Sequence, residues 1–256
     1  MSFADWDTQE LEQVEEGLIP IGWLCVGSPS TDDAGLLKDI STEVRSHISA
    51  GTLTDAVVER LAWQAHDILW PYVGGAEYRA AVVTDLYSRA PLFTPLVPLL
   101  DEATLAYFRG YSTVALAGFF VLLERYLRAL IGWKPGDPSV SFSDLRDKAL
   151  DRFPDTAYRK RAHRLLQGVY SHYNSLNPTP FFFNRHGLLH GLRGPHTLDS
   201  MNCNRMFVLL DQIVSVEAGR GHTGYIWSAE LETRLSLYKN CVNLGAEREF
   251  LGKLRG

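Results

Sequence analysis

Residues 184–191 read Asn-Arg-His-Gly-Leu-Leu-His-Gly. In this octet Arg185 and His190 are separated by four residues, and a polar residue, His186, follows the arginine directly. The segment before it, Pro178 to Phe183, is apolar and aromatic apart from Thr179, and Ser200 to Val216 downstream carries apolar residues at helical spacing. Working outward, the same 3.6-residue period recurs along most of the chain. It predicts helices over 7–17, 32–49, 54–69, 77–88, 101–131, 143–153, 157–176, 182–191, 200–217 and 228–252, with a loop or short extended piece at 22–30. Asp101 is expected to cap the longest of these, and Gly132 and Pro135 to end it. Asn184, Asn202 and Asn204 are expected to cap their own helices. The predicted class is all-α. Pro71, Gly74 and Gly75, then Pro91, Pro95 and Pro98, interrupt the pattern, which suggests a helical accessory region over 1–90 and a helical domain with a C-terminal helix over 91–256.

With 256 residues, 46% of them hydrophobic, the chain can bury a sizeable core. Three cysteines, Cys25, Cys203 and Cys241, have no paired spacing, so neither a disulfide framework nor a zinc ribbon is indicated. The opening Met-Ser-Phe-Ala-Asp-Trp-Asp lacks the basic and apolar regions of a secretion signal. The longest uncharged apolar stretch, Gly110 to Leu123, has 14 residues and is too short to span a bilayer. A cytoplasmic protein without a membrane partner is expected. Glycine-rich phosphate loops of the G-x-G-x-x-G and G-K-S/T types are absent.

Net charge is −5, yet its distribution is uneven. The 43 residues between Asp155 and Asp199 hold no Asp or Glu, where the chain average would place about five. This stretch carries Arg159, Lys160, Arg161, Arg164, Arg185 and Arg193, with five histidines among them. The first 43 residues hold ten acids against Lys38 alone. A polyanion would meet a positive field near the octet and a negative one near the N-terminus. Arg159, Lys160, Arg161, Arg164, Arg193 and Asn184 are therefore the expected RNA contacts. The acidic segment is expected either to cover the Arg159–Arg164 surface until a partner protein displaces it, or simply to be a solvated face.

An arginine and a histidine suit the cleavage of RNA. Histidine accepts or gives a proton near neutral pH, so it can take the proton of a ribose 2′-hydroxyl or supply one to the leaving 5′-oxygen. Arginine stays charged and offers a planar fork to the phosphoryl oxygens. Within the octet, the six residues Arg185-His186-Gly187-Leu188-Leu189-His190 resemble the Arg-x4-His motif of the HEPN superfamily (higher eukaryotes and prokaryotes nucleotide-binding domains). The resemblance covers roughly residues 95–220. It implies an HEPN-like helical bundle with an additional helical N-terminal region. It also implies a homodimer in which two motifs form one cleft, and a metal-independent endoribonuclease of toxin, stress-response or antiviral-defence type. Products would be a 2′,3′-cyclic phosphate and a 5′-hydroxyl, with no cofactor. Catalytic roles fall to Arg185, His190 and His186, and to Glu124, whose helix by order often carries an acidic residue aimed at the motif.

Alternatives stand beside this reading. On a regular helix Arg185 and His190 lie about 140° apart, so a shared site needs distortion at Gly187 or Gly191, or a second copy. His186 and His190 stand at i and i+4, a metal-ligand spacing for zinc or manganese to which Glu124 would add a third donor, although no H-E-x-x-H pattern accompanies them. His190 as a core histidine, Arg185 as a helix-end cap and Glu124 as an i+4 partner of Arg128 are the structural options. A non-catalytic HEPN-like module for dimerisation or for binding nucleotide or a partner is the second functional class.

Overall fold

The computed structural model describes residues 8–24, 30–169, 200–221 and 226–255, with the backbone alone at 8–9 and 247–255. Among these residues the chain is all-α, as the periodicity predicts. The helices are α1 (Thr8–Leu18), α2 (Thr31–Ala50), α3 (Asp55–Leu69), α4 (Ala76–Asp85), α5 (Val97–Phe108), α6 (Ser112–Leu130), α7 (Phe142–Lys148), α8 (Ala157–Val169), α9 (Ser200–Ala218) and α10 (Ala229–Arg255). Local chemistry sets the starts. The hydroxyls of Ser30, Thr54 and Ser141 accept the amides of Asp33, Val57 and Asp144, each satisfying an orphan donor of the first turn.

The expected long helix over 101–131 is two helices. Gly110 takes φ +75, a left-handed conformation open to glycine at no steric penalty. The Gly110 amide donates to Tyr107 O and the Tyr111 amide to Ala106 O, both at 2.9 Å, the paired bonds of a Schellman motif. The chain reverses there, and α6 packs back along α5. Asp101 is not a cap. It lies within α5 and accepts hydrogen bonds from Arg234 and Tyr238 of α10. The helix expected over 143–153 ends at Lys148, and turns carry the chain on to Phe153.

The centre of the fold is α9. Every residue from Met201 to Val216 is buried, polar ones included, so this helix is enclosed on all sides and does not have the one-sided burial its sequence suggested. Helices α6 and α8 flank it, while α4 and α5 lie against α10, α1 against α2, and α2 against α3. One hydrophobic cluster runs through the described residues on both sides of position 90, from Val14 and Leu61 to Phe207 and Tyr238.

Polar links across the same division are made by α9. Asp211 accepts Arg79 Nη1 at 3.1 Å, Arg79 Nη2 at 2.5 Å and the Tyr87 hydroxyl at 2.6 Å. Asn204 meets His66 Nε2 at 3.0 Å and accepts the Tyr107 hydroxyl at 3.2 Å. Arg205 donates to Ile21 O at 2.7 Å and to Asn202 at 2.8 Å. Asn204 thus serves tertiary contacts and not the helix end. Among the described residues no helix is long and apolar enough to cross a membrane.

Candidate functional site

Asn184, Arg185, His186, His190 and Arg193 lie outside the described residues. Of the expected site residues, those described are Arg159, Lys160, Arg161 and Arg164 on α8 and Glu124 on α6.

Helix α8 is amphipathic. Ala162, Leu165, Leu166 and Val169 face the core at i, i+3, i+4 and i+7, which leaves its cations on the remaining faces. Arg159 ties down the approach to its own helix: its guanidinium donates to Phe153 O and reaches Asp151 at 3.2 Å. Lys160 stands 3.7 Å from Asp155. Arg161 Nε stands 2.9 Å from Glu15 Oε1 of α1, with 16% of its side chain exposed against 3% for Glu15. Arg164 is exposed and adds to the field at Glu15 from one turn away. Three of the four predicted RNA-contacting cations of α8 are thus matched by carboxylates of the same chain. Two of those carboxylates, Asp151 and Asp155, lie just before the acid-free stretch, and the third comes from the acidic N-terminal region.

Glu15 is the unusual member. Burial pushes its carboxyl above the ordinary glutamate range, even though Arg161 and Arg164 pull it down. On α8 itself, His163 lies one turn beyond Arg159, whose Nε is 3.5 Å from His163 Nε2. Burial, then the Arg159 charge, lowers the His163 imidazole below its usual value, so this ring is held neutral at pH 7. Glu124 is half-buried on α6, and the guanidinium of Arg128, its i+4 neighbour, lies 4.7 Å over the Trp133 ring.

A cavity of about 260 Å³ opens between α4 and the start of α10, lined by residues that include Thr84, Asp85, Ser88, Arg89, Ile226 and Leu231. No predicted site residue lines it. Among the described residues no group of three His, Cys, Asp or Glu side chains is placed to hold a metal ion.

Sequence reasoning missed the buried polar centres on α9. Their positions, Asn204, Asp211 and Ser215, repeat at i, i+7 and i+11, the spacing of an ordinary solvated stripe. Their partners His66, Arg79, Tyr87 and Tyr107 lie roughly 100 residues or more upstream. The one hint is that a stripe of this length carries a single carboxylate. No protein-family model matches the chain, and neither the curated proteins nor the solved structures compared with it give a match.

Proposed function

We propose that this protein is a metal-independent endoribonuclease of HEPN type that cuts RNA by attack of a ribose 2′-hydroxyl on the adjacent phosphorus, in a stress-response or antiviral setting. The observation that carries the reading is the octet at 184–191, with Arg185 and His190 at the Arg-x4-His spacing. Support comes from the all-helical fold, and from an acid-free stretch that opens on the cationic helix α8 and closes just before the buried helix α9.

In this mechanism the side chain of Arg185 binds the phosphoryl oxygens and offsets the charge that builds on them. His190 takes the proton of the 2′-hydroxyl or returns one to the leaving 5′-oxygen. The first new P–O bond closes a 2′,3′-cyclic phosphate, and the P–O5′ bond breaks to leave a 5′-hydroxyl. His186 and Glu124 are the candidates for orienting the pair. Two copies of the motif, one from each protomer of a homodimer, remove the difficulty that Arg185 and His190 sit about 140° apart on a regular helix.

The test is incubation of purified protein with labelled RNA, with and without EDTA, beside Arg185→Ala and His190→Ala. Cleavage that survives EDTA and is lost in both variants is the expected result. Cleavage equal in wild type and both variants refutes the assignment. Loss on chelation, restored by zinc or manganese, supports a metal site at His186 and His190 instead. The internal pairing of Arg159, Lys160 and Arg161 favours one second reading, a non-catalytic helical module for dimerisation or partner binding; binding without cleavage is its signature.

A further inference from the structure

We propose that Glu15 of α1 occupies, at Arg161, the place of an RNA phosphate, so that the cationic face of α8 is open to RNA only when α1 lifts away. The inference rests on the RNA-directed reading above and deepens it by naming how access is controlled.

Glu15 is set apart from its neighbours on α1. Glu12 and Glu16 are exposed, whereas Glu15 is 2% exposed and stands 2.9 Å from Arg161 Nε. A helix that served packing alone would carry an apolar residue there, between buried Val14 and Leu18. Replacing a buried ion pair by well-packed apolar residues is often neutral or stabilising, so such a pair is weak support for a fold. The raised carboxyl of Glu15 says the same: the two arginines do not fully repay its burial. What the pair does accomplish is to hold a carboxylate, the nearest side-chain analogue of a phosphate oxygen pair, on a cation of the face expected to bind phosphates.

The attachments of α1 are local to α2 and α8, and those of the chain that follows it are separate. With 11 residues it is too short to persist as a helix without a docking surface. It is held on α2 by a close approach at Gly17, where a Cβ would overlap Ser41, by the Ser41 hydroxyl donating to Gln13 O at 3.4 Å, and by Lys38 at 3.3 Å from Glu10. The chain just beyond α1 is fixed separately. Arg205 of α9 holds Ile21 O at 2.7 Å, Trp23 Nε1 donates to Ala62 O at 3.0 Å, and between them Gly22 takes φ +81. A lift of α1 away from α8 would uncover Val14 and Leu18, while this anchor keeps Ile21, Trp23 and Leu24 in the core.

The test is a double-mutant cycle in the full-length chain, using Glu15→Gln, Arg161→Gln and the pair. Binding of a fluorescent 2′-O-methyl RNA, which lacks the attacking hydroxyl, is followed by anisotropy across a salt series. Glu15→Gln should tighten binding about 3-fold or more at low salt and steepen log K against log salt by about 0.7, one extra single-strand phosphate contact. Arg161→Gln should weaken binding more in the Glu15→Gln background, where Arg161 is free to meet a phosphate, than in the otherwise unaltered chain, so that the gain is erased in the pair. The idea is overturned if folded Glu15→Gln binds no tighter, or if Arg161→Gln weakens binding equally in both backgrounds.

In the unaltered chain, hydrogen exchange over 8–18 should quicken when the RNA is added; unchanged or slower exchange also overturns the proposal and needs no variant to fold. If no form binds RNA, the same cycle is run with inorganic polyphosphate. An Arg161-dependent gain there removes the RNA reading and keeps the mask, and no gain removes the mask.

Discussion

Asp211→Ala offers the sharpest test of how the core is built. The Arg79 guanidinium is fully buried, stacked 4.5 Å from the centre of the Phe207 ring, and its two terminal nitrogens both donate to Asp211. Burial works against its charge, but the Asp211 carboxylate beside it more than restores the balance and holds the group protonated. Removing the carboxylate strands a cation with no water to turn to and leaves the Tyr87 hydroxyl without its acceptor. Breaking a buried pair in this way costs about 3–5 kcal/mol, a large part of the roughly 5–15 kcal/mol that holds a protein folded. With a urea m-value of about 2.5 kcal/mol/M, the midpoint followed by far-ultraviolet circular dichroism should fall by about 1–2 M at unchanged m. The double variant Arg79→Met/Asp211→Leu should recover most of that loss, because neither charge is then buried. A drop under 1 kcal/mol for Asp211→Ala, or a double variant as unstable as the sum of its parts, would refute the claim that the pair is desolvated and mutually dependent.

Other expectations concern single positions. Gly110→Ala places a side chain at φ +75 and should lower stability by about 1–2 kcal/mol, measured by urea titration. Tyr238→Phe deletes the hydroxyl that Asp101 accepts, and should cost on the order of 1 kcal/mol with a cooperative transition retained. For Glu15 the folded carboxyl titrates above its ordinary value, so the folded state binds the extra proton in the window just above about pH 4.5. Stability contributed by this group therefore rises as pH falls through that window. The unaltered chain should gain on Glu15→Gln between pH 7 and 5 in thermal melts, and a constant difference between the two would contradict it.

Helices whose apolar side faces a single neighbour were legible from their period. Apolar spacing places α2 and α3 within a residue or so at each end, and Ser30, Thr54, Gly51 and Gly132 mark their boundaries or those of α6. The α5–α6 reversal was not read, although Gly110 stood in plain view. Both helices pack on the same core, so the apolar period continues through the turn and hides it. The burial of α9 was illegible for a different reason. Polar residues at helical spacing describe a solvated stripe and a buried network equally well, and the choice depends on His66, Arg79 and Tyr107 arriving from far along the chain. At the site, the spacing of the octet and the cations of α8 could be read directly. That Arg161 is spoken for by Glu15, 146 positions earlier, could be suspected from charge patterning but located only in three dimensions.

Enclosure of α9 on all sides also sets a timetable for synthesis. The chain makes the walls of the core before the helix that fills it: 132 residues separate Arg79 from Asp211. At about 5–20 residues per second, an interval of roughly 7–26 s passes in which the guanidinium of Arg79 lacks Asp211, and the apolar seats on α6 and α8, once made, wait through the later part of it. A nascent chain halted before residue 200 presents an open, sticky vestibule to its surroundings. Production of this protein should accordingly depend on holdase chaperones acting during translation, and premature termination upstream of α9 should yield aggregates where a smaller folded species would otherwise be sought.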